Sequence, residues 1–294
     1  MTASGNGGAR VAAVQMASGP RVDANLYEAG RLIGMAANAG ARLVVLPENV
    51  AIMGLAETDK LAHVDPDSGG PIQERLAGHA ARHGVWLVAG TIPMCGRDPA
   101  RARAACLVFD DQGQRVARYD KLHLFDVQVD GDAAYAESAT LEPGDQVVTV
   151  ATPFGCMGVA VCYDLRFPEQ FRVMADRGAD FFVVPSAFTA RTGAVHWRPL
   201  LQARAIENQS YVIAAGQGGY HMNGRETHGD SLILDPWGSV QDSLARGSGV
   251  VIGELDPVRL ADVRARFPSL AHRRLSCPDA VQPAPADAVV ARNT

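Results

Sequence analysis

The stretch Val159–Glu169, V-A-V-C-Y-D-L-R-F-P-E, decides how the chain is read. An apolar run from Gly158 to Val161 ends in a single cysteine, Cys162, and Tyr163, Asp164 and Arg166 follow at once. Such a run between Gly155 and Pro168 predicts a buried strand. In open α/β sheets the C-terminal ends of strands border the ligand-binding crevice. Cys162 is therefore either a nucleophile at a crevice or a packed core thiol, since free cysteine is among the most buried residue types.

On either side of that stretch, apolar strands alternate with Ala- and Leu-rich helices. Strands are predicted over Arg10–Met16, Leu43–Leu46, Val85–Thr91 and Ala105–Phe109, with helices over Asn25–Ala39 and Pro71–His83. After a Gly/Asp-rich loop, Asp126–Asp145, the order returns. Strands over Met157–Val161, Phe181–Val184, Ser210–Ala215 and Ser231–Leu234 enclose helices over Glu169–Arg177 and Val195–Asn208. A-G-A-R-L-V-V-L-P (Ala39–Pro47) parallels R-G-A-D-F-F-V-V-P (Arg177–Pro185). C-L-V-F-D-D-Q-G (Cys106–Gly113) parallels S-L-I-L-D-P-W-G (Ser231–Gly238). Buried strands share a restricted alphabet, yet two matches in the same order favour an internal duplication over chance. Two β-α-β-α-β-β halves predict an α/β fold, a four-layer α-β-β-α sandwich with internal pseudo-two-fold duplication. Residues 1–280 read as one domain, because neither half alone could cover both faces of its sheet. The Pro/Ala-rich tail 281–294 reads as extended or disordered.

The bulk composition narrows the function class. The 294 residues carry a net charge of −5 with no basic run, which argues against nucleic acid as a partner. No apolar stretch is long enough to span a bilayer, and the first ten residues lack a signal-peptide core. The five cysteines form no C-x-x-C, which predicts a reducing, cytoplasmic setting without disulfides or a metal cluster.

Two more polar residues stand where strands give out. Glu48 follows L-V-V-L-P, and Lys121 follows the segment after the fourth strand. Glu48 and Cys162 are expected at the same edge of adjacent central strands. A thiol attacks as the thiolate, so a carboxylate that takes its proton and an ammonium that lowers its pKa would activate it. The ammonium would also stabilise the oxyanion formed on a carbonyl. Taken singly, Glu48 and Lys121 could each be a solvated charge beside a strand. Together with Cys162 they make an acyl-transfer set that needs no metal and no cofactor. Arg204 and Glu207 are expected to pair at i,i+3. His123 and His228 are expected near the site or in the core, not as metal ligands.

L-P-E at Leu46–Glu48, Y-D-K-L-H-L-F-D at Tyr119–Asp126 and V-C-Y-D-L-R-F-P-E at Val161–Glu169 resemble the three signatures of the nitrilase superfamily of carbon–nitrogen hydrolases. The resemblance implies the sandwich fold and a set of roles. By it, Glu48 is the general base, Lys121 the oxyanion-side cation, Cys162 the nucleophile, and the Tyr163 N–H a second oxyanion donor. A second glutamate is implied at Glu137; spacing alone does not separate it from Glu142. T-G-A-V-H-W (Thr192–Trp197), D-P-W-G (Asp235–Gly238) and H-R-R (His272–Arg274) resemble the amidase branch acting on deaminated glutathione. A related branch acts on 2-oxoglutaramate. This implies an amidase converting such ω-amides of α-keto acids to acid and ammonia through a thioester. It also implies Arg166, Phe188 and Thr192 around the acyl group, and a homodimer or homotetramer. Arg166 could equally be an ion-pair partner of Asp164 or Glu169.

Overall fold

A computed structural model of the chain describes residues 8–128, 134–278 and 281. The first half runs β1 (Ala9–Gln15), α1 (Val22–Asn38), β2 (Leu43–Val45), α2 (Pro71–His83), β3 (Trp86–Val88), β4 (Ile92–Cys95), β5 (Ala102–Phe109) and β6 (Arg115–Asp120). An antiparallel pair, β7 (Asp126–Gln128) and β8 (Ala134–Ala136), and then β9 (Val148–Thr152) lead into the second half. That half runs β10 (Gly155–Val159), α3 (Pro168–Asp176), β11 (Phe181–Ser186), α4 (Ala190–Asn208) and β12 (Tyr211–Gly216). It continues through a small pair, β13 (Gly218–Tyr220) and β14 (Glu226–His228), to β15 (Ser231–Leu234), β16 (Val240–Leu244), β17 (Gly249–Leu255) and α5 (Pro257–Arg266).

Two sheets result, and their orders show the duplication. One reads β17-β1-β2-β3-β5-β4, with β6 also on β5; the other reads β16-β15-β12-β11-β10-β9. The parallel triplet β1-β2-β3 corresponds to β10-β11-β12, and the antiparallel β17 beside β1 to β9 beside β10. The repeated motifs occupy equivalent places. Asp110 Oδ1 accepts from the Gln112 and Gln114 amides at 2.9 and 2.8 Å. Asp235 Oδ1 accepts from the Trp237 and Ser239 amides, both at 2.9 Å. Gly113 and Gly238 close these two turns at φ of 77° and 84°, where a side chain would be strained.

Strand alternation builds the layers. Ala12, Val14 and Val44 face α1 and α2, packing against Leu32, Ile33 and Leu76. Val11, Ala13, Leu43 and Val45 face the other way, into a core shared with Val159, Val183 and Ile213 of the second sheet. α3 and α4 cover that sheet through Phe171, Met174, Trp197 and Leu201. Covering both faces explains why β5 and β11 are buried along their whole length.

The sequence-based elements β2, α2 and β15 are found nearly as predicted. The strand expected over Val85–Thr91 is found as β3 only to Val88, and after an irregular stretch at Gly90 the chain resumes pairing with β5 as β4. At Gly90 φ is 63°, and a Cβ would lie 2.0 Å from the Pro47 carbonyl oxygen, so only glycine fits. The 1–280 unit ends just beyond the described residues, and of the tail only Val281 is described. Among the described residues no helix is long and apolar enough to cross a membrane.

Candidate active site

Four strand ends converge on one cavity. Glu48 follows β2, Lys121 follows β6, Cys162 follows β10 and Ala187 follows β11. Glu48 and Cys162 were expected on adjacent strands, but β2 and β10 belong to different sheets. The site lies at one end of the two face-to-face sheets, where the segments after the equivalent strands β2 and β11 approach each other. The Ala187 N–H donates to Glu48 Oε2 at 2.9 Å, and Gln217 Nε2 donates to the Glu48 carbonyl oxygen at 2.9 Å.

Lys121 is the centre of the polar cluster. Its Nζ donates to Glu48 Oε1 at 2.7 Å and to Glu137 Oε1 and Oε2 at 3.1 and 2.8 Å. Burial alone would push the Lys121 ammonium down, yet Glu137, Glu48 and the thiol hold it well above the usual lysine range. The same balance favours ionised Glu137. Burial opposes its charge, Lys121 outweighs that, and the Phe125 N–H adds a hydrogen bond at 2.8 Å. Of the two glutamates the sequence left open, Glu137 is the one that reaches Lys121. Glu142 accepts from the Arg97 N–H at 2.9 Å, from the Asp98 N–H and from Arg103 at 3.3 Å, away from the thiol.

Cys162 sits in the left-handed region, with φ of 48°. For a side chain bearing Cβ that conformation costs on the order of 1–2 kcal/mol. It breaks the strand abruptly at the point where a short 3-10 turn, Cys162–Arg166, begins. The thiol lies beside the Glu48 carboxylate and the Ala187 N–H. Its acidity corrects the sequence-based expectation. Burial and then the charge of Glu48 push the thiol well above its ordinary range, and Lys121 pulls down too weakly to offset them. Lys121 is already paired with two carboxylates, which weakens its pull on the sulfur. The Tyr163 N–H opens the 3-10 turn, where the first amides lack intrahelical partners.

A cavity partly open to solvent lies above the sulfur. Arg166, Phe188 and Thr192, which the resemblance implies around the acyl group, all line it. Arg166 makes no ion pair among the described residues, so the alternative pairing with Asp164 or Glu169 is not realised. Its guanidinium lies 5.3 Å from the Phe188 ring centre, and Nη1 donates to His196 Nδ1 at 3.2 Å. Thr192 opens α4, its amide donating to the capping Thr189 hydroxyl at 3.3 Å. Phe125, Thr189 and Arg225 also line the cavity and were not anticipated. Phe125 falls inside the Tyr119–Asp126 signature but was given no role, and the stretches around Thr189 and Arg225 carry no periodicity or motif that singles them out.

Residues 10–265 match the Carbon-nitrogen hydrolase family. The chain belongs to that family. This hydrolase is 44% identical over 265 residues to the deaminated glutathione amidase of Synechocystis sp., covering 89% of this chain and 97% of that protein. It superposes on Saccharomyces cerevisiae Nit3, a member of branch 10 of the nitrilase superfamily. There the TM-score is 0.83 and the identity 30%, over 93% of this chain and all of that one. An amidase from Nesterenkonia sp. AN1 superposes with a TM-score of 0.74 at 27% identity, covering 90% and 99% of the two chains. That structure carries a Glu-to-Gln variant and shows Michael addition of acrylamide at the active site cysteine.

Within this hydrolase one buried carboxylate ties the cluster together. Asp164 is fully buried and accepts from Tyr119 Oη at 2.6 Å, the Val161 N–H at 2.7 Å, the His123 N–H at 3.1 Å and His123 Nδ1 at 2.8 Å. Tyr119 and His123 flank Lys121 two residues on either side, and Asp164 stands two residues after Cys162. The carboxylate thus fixes the lysine segment against the cysteine turn. Asp164→Asn replaces an acceptor oxygen by a donor that faces other donors. It is expected to lower unfolding free energy by about 2–4 kcal/mol, since buried groups would lose partners. Urea denaturation checks this, and an unshifted midpoint would contradict it.

Proposed function

We propose that this hydrolase is an amidase that cleaves deaminated glutathione or a related ω-amide of an α-keto acid through a thioester on Cys162. One observation carries the reading. A thiol, a carboxylate and an ammonium meet in one buried cluster, beneath a cavity lined by two arginines with no ion-pair partner among the described residues. The likeness to the Synechocystis amidase supports the substrate class.

The residues then divide the work. Glu48 takes the thiol proton as the sulfur attacks the amide carbonyl, so the thiolate forms only as it is used. The developing oxyanion is held by Lys121 Nζ and the Tyr163 N–H. Glu137 keeps Lys121 charged and aimed. Collapse of the tetrahedral intermediate breaks the C–N bond, and the leaving nitrogen takes the proton from Glu48. Glu48 next activates water, which releases the acid and regenerates the thiol. Arg166 offers a planar pair of donors for the keto-acid carboxylate.

The expectation of ammonia as product applies to primary amides such as 2-oxoglutaramate. The amide in deaminated glutathione is secondary, and its leaving group is the cysteinylglycine amine. The decisive assay therefore follows cysteinylglycine with one substrate and ammonia with the other. Cys162→Ala is expected to lower kcat on the order of 10⁴-fold or more on both. Wild-type rates in that variant would overturn the mechanism. A higher kcat/KM for 2-oxoglutaramate would overturn the substrate order. The proposed working form is a cytoplasmic homodimer or homotetramer that needs no cofactor; sedimentation of the purified protein tests the assembly.

A further inference from the structure

Two carboxylates and three cations line the cavity, and Lys121 engages both carboxylates. Arg166 and Arg225 are left without ion-pair partners among the described residues. A carboxylate ligand is the natural complement of such a guanidinium, which binds it through two parallel N–H bonds.

The two arginines rest against different parts of the lining. Arg166 lies on the cysteine turn, against Phe188 and His196. Arg225 stands between β13 and β14. Its Nη2 donates to the Ala187 carbonyl oxygen at 2.9 Å, and its guanidinium lies 5.1 Å from the Tyr135 ring centre. Ala187 is the residue whose N–H holds Glu48, so Arg225 is anchored one peptide group from the reacting cluster. The Arg225 Nε is buried and has no hydrogen-bond partner. An unsatisfied buried donor is costly, and a bound acceptor would remove the cost.

We propose that Arg225 binds a second substrate carboxylate, on the amine side of the scissile amide, so that the enzyme favours carboxyl-terminated peptide amides over primary amides. The inference rests on the amidase reading above. Deaminated glutathione carries two carboxylates, one on the keto-acid side and one at the glycine end. A primary ω-amide such as 2-oxoglutaramate carries only the first. With Arg166 on the acyl side, Arg225 is the cation available for the second.

The test crosses ligand with residue. Wild type and Arg225→Gln are each assayed on deaminated glutathione, on the same compound with its glycine carboxylate converted to carboxamide, and on 2-oxoglutaramate. In wild type the carboxamide is expected to lower kcat/KM about 10- to 100-fold. In Arg225→Gln the acid should be slowed by a similar factor, and the carboxamide should cost little more. The loss on 2-oxoglutaramate should be at least about tenfold smaller than on deaminated glutathione. Arg225→Lys should restore part of the acid preference. Equal losses on both substrates, or an undiminished carboxamide penalty in Arg225→Gln, overturn the proposal. Should wild type cleave neither substrate, the amidase reading fails on its own. Binding of cysteinylglycine and of its carboxamide, measured by calorimetry on both proteins, then decides the Arg225 assignment. A wild-type preference for the acid that vanishes in Arg225→Gln supports the assignment, and no preference overturns it.

Discussion

Replacing Lys121 by Met is expected to lower kcat about 10³-fold or more and to weaken the fold in a pH-dependent way. The catalytic loss follows from removing the cation that faces the oxyanion, a donor worth about 10²–10³ by itself. The structural loss follows from burial. Lys121 is only 1% exposed and lies between Glu48 and Glu137. Removing one partner of a buried ion pair typically costs about 3–5 kcal/mol. In wild type Glu137 has a depressed pKa. Its contribution is therefore present above the ordinary carboxylate range and is lost as pH falls through the folded-state value. The raised Lys121 pKa gives stability that is present below the ordinary lysine value and lost only as pH rises through the folded one. Wild type should therefore be level in stability between those ranges. In Lys121→Met two carboxylates face each other without a cation, and protonating one relieves the repulsion. The deficit relative to wild type should shrink from pH 8 to pH 5. Guanidinium denaturation at the two pH values measures it, and an equal deficit at both would count against this account.

Glu48→Gln should move turnover and thiol acidity in opposite directions. Turnover should fall about 10²–10⁴-fold, because no carboxylate remains to carry the proton from sulfur to nitrogen and then from water. The thiol should become more acidic. Burial is the largest influence raising its pKa and persists in the variant, but the charge of Glu48 is the next largest and is removed, while Lys121 still pulls downward. The pH midpoint of alkylation by iodoacetamide should therefore lie lower in Glu48→Gln than in wild type. An unchanged or higher midpoint would mean that Glu48 does not govern the state of the sulfur. A merely structural role for Glu48 predicts no such downward movement.

Glu48 and Cys162 were legible because each sits at the end of an apolar run, where a change from hydrophobic to charged is abrupt, whereas Lys121 and Glu137 follow no such run, and their place in the set rested on the family resemblance. The duplication was legible because equivalent turns need the same Asp and Gly chemistry, as at Asp110–Gly113 and Asp235–Gly238. Other elements gave no such signal. β6 reads R-V-A-R-Y-D and β16 reads V-Q-D-S-L, both at sheet margins with polar exposed positions and no apolar run. β4 was missed because only an irregular stretch at Gly90 separates it from β3. Asp164 looks like a surface charge in sequence, and only its four donors reveal a buried hub. The state of the thiol is a balance of burial and two opposing charges, which residue order does not express. Arg225 lies in a stretch whose pattern says nothing of where its side chain goes.

The last strand of the fold, β17, forms the edge of the first sheet by pairing with β1 from Ala9↔Leu255 to Gln15↔Gly249. During synthesis the amino-terminal half is therefore made long before its own sheet has a border. Contacts so distant along the polypeptide form slowly, and the open margin of β1 is exposed to mispairing until then. A ribosome stalled before residue 249 would hold a chain with every strand of the second sheet made but the first sheet still lacking its edge. The hydrolase should consequently gain its protease resistance in one late step, after the final strand has emerged.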